Sequence, residues 1–184
     1  MSKAEVPRVR RAGIDDAAKL AQLAERTFRD AFAKVNTAED IDLHCRKSYG
    51  LEIQSAEIRD ANRTTLVCEA TGRLVGYGQL RWDSREACVK GNKPAEIQRL
   101  YVDVAWHGKG VAQALMASLL QAAADAGADV AWLGVWENNP RAISFYSKNG
   151  FEPVGEHVFV VGNDPQRDLV MARQLRGVPW ATPT

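Results

Sequence analysis

A short run of small residues, His107-Gly108-Lys109-Gly110-Val111-Ala112, stands where a strand-like stretch gives way to a helical one. Backbone N–H groups in the first turn of a helix have no intrahelical acceptor, and the helix dipole favours negative charge at that end. Small residues at Gly108, Gly110 and Ala112 let a diphosphate approach that backbone closely, so the run reads as a pyrophosphate cradle. The same glycines can simply shape a tight turn, and only context separates the two readings. A Walker A loop does not fit, because Lys109 comes before Gly110 and no Ser or Thr follows in the required place. A Rossmann fingerprint does not fit either, since GxGxxG in a repeated βαβ array near the N-terminus is missing.

The elements that must hold this turn are readable on both sides of it. Glu96 to Asp103 has strand character, and from Gly108 a helix follows whose apolar residues Val111, Leu115, Leu119 and Ala122 recur every turn. Val130 to Trp136 is another strand, Asn139 to Lys148 a short helix ended by Gly150, and Val154 to Val161 with Asp168 to Leu175 a closing hairpin. Upstream, Val6 to Arg11 is a first strand, and Asp15 and Asp16 offer N-cap oxygens for a helix to about Ala33 with a stripe of Leu20, Leu23, Ala24, Phe28 and Phe32. Thr37 with Glu39 and Asp40 starts a second helix, and Leu51 to Asp60 continues helical after Gly50. Thr64 to Ala70 and Arg73 to Trp82 form a hairpin through Thr71-Gly72, and the polar stretch Asp83 to Pro94 reads as a surface loop. Residues 1–6 and 177–184 are expected to be flexible ends.

At 184 residues the chain fits one domain spanning 1–184 and buries roughly two-thirds of its unfolded surface. A formal charge of +1 is too small for a nucleic-acid binder, and no apolar run suits a signal peptide or membrane span. Cys45, Cys68 and Cys88 are odd in number and lack CxxC spacing, which argues against a disulfide framework and a zinc site and suits a reducing cytoplasm.

Taken together, these residues resemble the GNAT superfamily of N-acetyltransferases. His107 to Ala112 matches its motif A, Arg/Gln-x-x-Gly-x-Gly/Ala, except that His107 replaces the usual Arg or Gln, a position that contributes mainly its backbone N–H. Glu96-Ile97-Gln98-Arg99-Leu100-Tyr101-Val102 resembles the strand lining the acetyl group, and Asn138 to Gly150 resembles motif B. A wider pattern is similar to the PaiA-type bacterial spermidine/spermine N-acetyltransferases: Thr27 to Phe32, Trp132 to Glu137, Ala142 to Tyr146, His157-x-Phe159-x-x-Gly162 and Gln166-x-Asp168-Leu169. The resemblance implies an α+β fold, a mixed, mostly antiparallel, twisted seven-stranded sheet with helices on both faces and acetyl-CoA in a notch between the fourth and fifth strands. It implies a polyamine or similar small amine as acceptor, with no nucleic acid, membrane or metal, and a possible homodimer.

The resemblance also distributes roles. The turn at His107, Gly108, Lys109, Gly110, Val111 and Ala112 holds the pyrophosphate, and Leu100, Tyr101 and Val102 line the pantetheine arm and supply an N–H to the oxyanion. Asn139 resembles the residue that bonds the cofactor arm, although an N-cap role explains it equally. An ammonium must lose a proton before it attacks a thioester, and Glu96 is spaced from the glycine turn like the catalytic glutamate of histone-type members. A strand-end carboxylate facing solvent is the competing reading. Tyr146 matches the family's general acid, against plain packing. Asp168, Glu137 and His157 are secondary candidates for holding substrate or orienting loops. Trp132 and Trp136 share one strand face and read as core or a dimer contact, and His44 and Met116 read as structure. No cysteine lies in either motif, so transfer is direct. Acetylation of a protein N-terminus or lysine is an alternative that needs an open groove, and a non-catalytic acyl-CoA sensor is another, disfavoured by retention of Glu96 and Tyr146.

Overall fold

A computed structural model describes residues 6–175; of the expected flexible ends, 1–5 and 177–184 lie outside them. Seven strands form one open sheet in the order β1-β2-β3-β4-β5-β7-β6. They are β1 (Arg8–Arg11), β2 (Arg63–Ala70), β3 (Arg73–Arg81), β4 (Pro94–Val102), β5 (Val130–Trp136), β6 (Glu152–Val161) and β7 (Asp164–Gln174). Every neighbouring pair is antiparallel except β4 with β5. The expected α+β sheet is therefore the observed one.

Helices α1 (Ala17–Phe32), α2 (Ala38–Ser48) and α3 (Leu51–Arg59) precede β2, α4 (Val111–Asp125) joins β4 to β5, and α5 (Pro140–Lys148) joins β5 to β6. The stripe of α1 buries Leu20, Leu23, Ala24 and Phe28 against Val67, Leu74 and Tyr77 of the sheet. On the other face Leu115, Met116 and Leu119 of α4 pack with Val75, Leu80, Ile97, Leu133 and Met171. Close approach of α4 depends on Gly78, where an added Cβ would lie 2.6 Å from Leu119 Cδ1.

Local chemistry departs from expectation in two places. Asp16 is not a side-chain cap for α1; its carboxylate receives the Gly13 N–H at 2.8 Å and the Arg10 guanidinium at 2.7 and 2.9 Å. That ion pair ties β1 to the start of the helix. The loop 82–93 is not wholly a surface element, because Val89 is buried with Val130, Trp132, Val170 and Ala172 and the strand already begins at Pro94. Asp129 holds the loop's end by accepting the N–H groups of Asn92 at 2.6 Å and Lys93 at 3.0 Å. Thr37 does cap α2, accepting the Asp40 N–H at 3.1 Å.

Candidate active site

β4 and β5 pair only over Pro94–Glu96 and Val130–Trp132. Beyond them β4 carries a bulge: Leu80 faces Ile97 while Gln79 faces Arg99, so Gln98 has no partner on β3. The extra residue bends the strand away from β5 and opens a notch. Arg63 grips the bulge by donating to the Gln98 side chain, and Arg99 beside it donates to Glu57 at 2.7 Å.

The register says which backbone groups face this notch. Asp103 N–H bonds to Val75 C=O at 2.9 Å across the Gly76–Val102 pair, which makes that pair the type whose own N–H and C=O point outward. Leu100, two residues back and opposite Gly78, has the same orientation, whereas Tyr101 bonds back to Tyr77. Leu100 and Val102 thus point their backbone away from β3 toward the notch, while Tyr101 stacks its ring on Tyr77 at 5.8 Å.

The notch leads to the glycine turn. Gly108 and Gly110 have φ of 74° and 80°, values that L side chains rarely adopt, and nothing lies within 4 Å of where their Cβ atoms would be. The first backbone bond of α4 runs from Ala114 N–H to Gly110 C=O at 3.0 Å, leaving Val111, Ala112 and Gln113 N–H groups without helical acceptors. This is an open, positively polarised concavity that suits a diphosphate. His107 closes one side. Its Nε2 lies 2.9 Å from Val102 O and its Nδ1 3.2 Å from Arg141 Nη1. A carbonyl can only accept and a guanidinium only donate, so the proton is on Nε2. The side chain at this position therefore does take a part, holding the Val102 carbonyl. Lys109 turns back, its Nζ 5.0 Å from the Trp106 ring centre.

Tyr146 lies on α5 with its ring 5.5 Å from Phe145 and 6.1 Å from Phe151. Burial pushes its phenol up to about 12, so it carries its proton at neutral pH. Tyr101 is raised further, by burial and then by Tyr49 and Tyr146. Asn139 Oδ1 accepts the Ala142 N–H at 3.1 Å, so the N-cap reading holds, and its amide N–H groups have no partner among the described residues. Glu96 is 8% exposed, which removes the solvent-facing alternative. It stands at the closed end of the notch, flanked by Arg81 and Trp132 on β3 and β5, with Arg81 Nε 2.8 Å from its Oε2.

Because Ala95 and Ile97 pack under α4, alternation puts Glu96 on the opposite face, together with Tyr101, Trp132 and Asp168. That face is walled by the α1–α2 corner, which Asn163 N–H to Asp40 at 2.8 Å and Gln166 to Asn36 at 2.6 Å tie to the β6–β7 turn. There His44 stacks on Phe28 at 4.1 Å; burial, then Arg99 and Lys47, lower it to about 4, so it is neutral and structural. Trp132 is core, while Trp136 is only half-buried. Sequence reasoning missed Arg81 and Glu86 altogether, since neither lies in a motif.

The model of the acetyltransferase (GNAT) family matches residues 18–151, most of the chain. The chain belongs to the GNAT family. An uncharacterised N-acetyltransferase of Mycobacterium tuberculosis is 37% identical to this acetyltransferase over 165 residues, covering 87% of this chain and 98% of that one. Another, from Lactobacillus delbrueckii, is 29% identical over 153 residues, 83% of this chain and 88% of that one. Among solved structures, the PaiA N-acetyltransferase of Thermoplasma acidophilum in complex with coenzyme A superposes with a TM-score of 0.74 at 23% identity, covering 95% of this chain and 99% of that one. The ribosomal-protein-S18-alanine N-acetyltransferase of Escherichia coli gives 0.66 at 13% identity, covering 97% and 99%. At those identities the solved structures establish the fold, and the family match makes this GNAT protein an N-acetyltransferase that acts on an amine. Among the described residues no helix is long and apolar enough to cross a membrane, and no cluster of three or more His, Cys, Asp or Glu is placed to hold a metal ion.

Proposed function

We propose that the enzyme transfers the acetyl group of acetyl-CoA directly to a primary amine, with polyamines such as spermidine and spermine as its acceptors. The observation that carries the cosubstrate is the notch itself, where the backbone of Leu100 and the N–H of Val102 point away from β3 and lead to the open turn at Gly108 and Gly110. Acetyl-CoA supplies the activated acetyl group. His107 to Ala112 hold its diphosphate, Leu100 and Val102 bind its arm in the manner of an added strand, and Asn139 donates to it from α5.

Glu96 accepts the proton that the acceptor ammonium must lose, by way of water, because it is buried at the closed end of the notch. A backbone N–H beside the β4 bulge stabilises the oxyanion. Tyr146, protonated at working pH, donates to the departing thiolate. The free thiols of Cys45, Cys68 and Cys88 suit the reducing cytoplasm.

The polyamine reading rests on the resemblance quoted above and on the acidic groups of the acceptor face, Glu86, Glu96 and Asp168. Thiol release from acetyl-CoA, measured over a panel of spermidine, spermine, monoamines and a peptide with a free N-terminus, tests it. Spermidine is expected to turn over fastest. Turnover confined to the peptide would overturn the polyamine assignment, and release with none of the amines would overturn acetyl transfer to small amines.

A further inference from the structure

Three titratable groups meet on the acceptor face from three parts of the chain. His157 of β6 has Nδ1 3.0 Å from Glu86 Oε1, in the loop between β3 and β4, and Nε2 3.9 Å from Asp168 Oδ2 on β7. Asp168 is the register partner of both His157 and Trp136. The group lies over Gly134, on the stretch of β5 that has left β4 and borders the notch: a Cβ built there would meet His157 Nε2 at 2.7 Å and Asp168 Oδ2 at 3.3 Å. A side chain at that position would displace the imidazole, so the packing of His157 requires glycine. Burial holds the Tyr101 phenol protonated, and the charge of Asp168 adds to it in small part.

Asp168 is left short of partners. It is 7% exposed, yet its ion pair with His157 is too long for a hydrogen bond, and its carboxylate accepts none from the described residues. A buried carboxylate in that condition is costly unless donors reach it, and Gly134 beside it lies on the stretch of β5 that borders the notch. The nearby carboxylates, Asp168 first and then Glu86, outweigh burial and lift His157 to about 9, so the trio holds two carboxylates around one imidazolium. Its net charge of −1 matches a single ammonium.

Resting on the reading that the acceptor is an amine, we propose that Asp168 is the carboxylate that receives the acceptor's ammonium at the notch. His157, clamped between Asp168 and Glu86, is the residue that positions it. Asp168 takes N–H bonds from the ammonium and keeps one of them after deprotonation, which turns the nitrogen lone pair toward the acetyl carbon. Trp136, the register partner of Asp168 on β5, is only half-buried beside that point and offers its indole to the cation.

The test uses the full chain loaded with coenzyme A, and n-butylamine with n-butanol as its neutral counterpart, followed by NMR titration. The parent should prefer the amine to the alcohol at least ~10-fold, and Asp168→Asn should erase the preference while coenzyme A affinity stays within about twofold. His157→Gln separates positioning from charge. It leaves the site more negative, so amine affinity should hold or rise while kcat falls at least ~10-fold, a split that loss of packing would not produce. A preference kept in Asp168→Asn, or absent in the parent, overturns the proposal; so does His157→Gln losing affinity and kcat together. Failure of the polyamine reading shows separately, as absent spermidine turnover with the n-butylamine preference intact.

Discussion

The two banks of the notch are built in opposite ways. On the cofactor side, β4, the glycine turn and α4 follow one another in the chain, and the groups expected to hold a diphosphate come from six consecutive residues, His107 to Ala112. On the acceptor side, Glu86, Glu96, His157 and Asp168 come from a loop, a central strand and the terminal hairpin, with Glu86 and His157 71 positions apart. A local site needs only correct turn chemistry to be present. A dispersed one exists only when the whole sheet is in register.

Tyr146 packs on the α4 face with Phe145 and Phe151, and changing it gives the sharpest test of the division. Tyr146→Phe removes one hydroxyl and should lower kcat by about 100-fold, the low end for lost general acid assistance because a thiolate leaves readily, with acetyl-CoA affinity nearly unchanged. Since burial keeps the phenol protonated up to about 12, the pH profile between 6 and 9 should keep its shape. Steady-state kinetics with folding checked by circular dichroism decide it, and turnover within about twofold of the parent would make Tyr146 a packing residue.

Gly110→Val attacks the local bank alone. The branched side chain must adopt a φ near 80°, at a strain of about 1–3 kcal/mol, and its Cβ fills space meant for phosphate oxygens. Calorimetry should give at least ~10-fold weaker coenzyme A binding by a folded protein that still distinguishes n-butylamine from n-butanol. Unchanged binding would move the cradle elsewhere.

The smallest effect tests the dispersed bank. His157 is raised in the fold from 6.5 to about 9, so the folded state binds an extra proton between those values. Its contribution is complete below pH 6.5 and is lost as pH rises through 9, on the order of 1 kcal/mol for a partly exposed ion pair with Glu86 and Asp168. Denaturant unfolding at pH 6.5 and 9.5 should show this decline in the parent and not in His157→Gln. Equal slopes would mean that the imidazole gains nothing from the two carboxylates.

What the sequence determined by itself is what short-range physics can encode. The strand, glycine turn and helix around Gly108, the hairpin at Thr71-Gly72 and the Thr37 cap each depend on residues a few positions apart, and so do the outward-facing N–H groups of α4. Long-range pairing was legible only as pattern: apolar periodicity gave the number and type of elements, and resemblance gave their order. The tertiary structure alone decided that Asp16 serves Arg10 and Gly13 instead of capping α1, and that Val89 pins the loop 82–93 over Trp132. It also decided that Glu96 meets Arg81 and that Glu86 and Asp168 enclose His157 above Gly134. Charges find such partners through packing and register, and a carboxylate's neighbours across a sheet leave no mark at any fixed spacing in the chain.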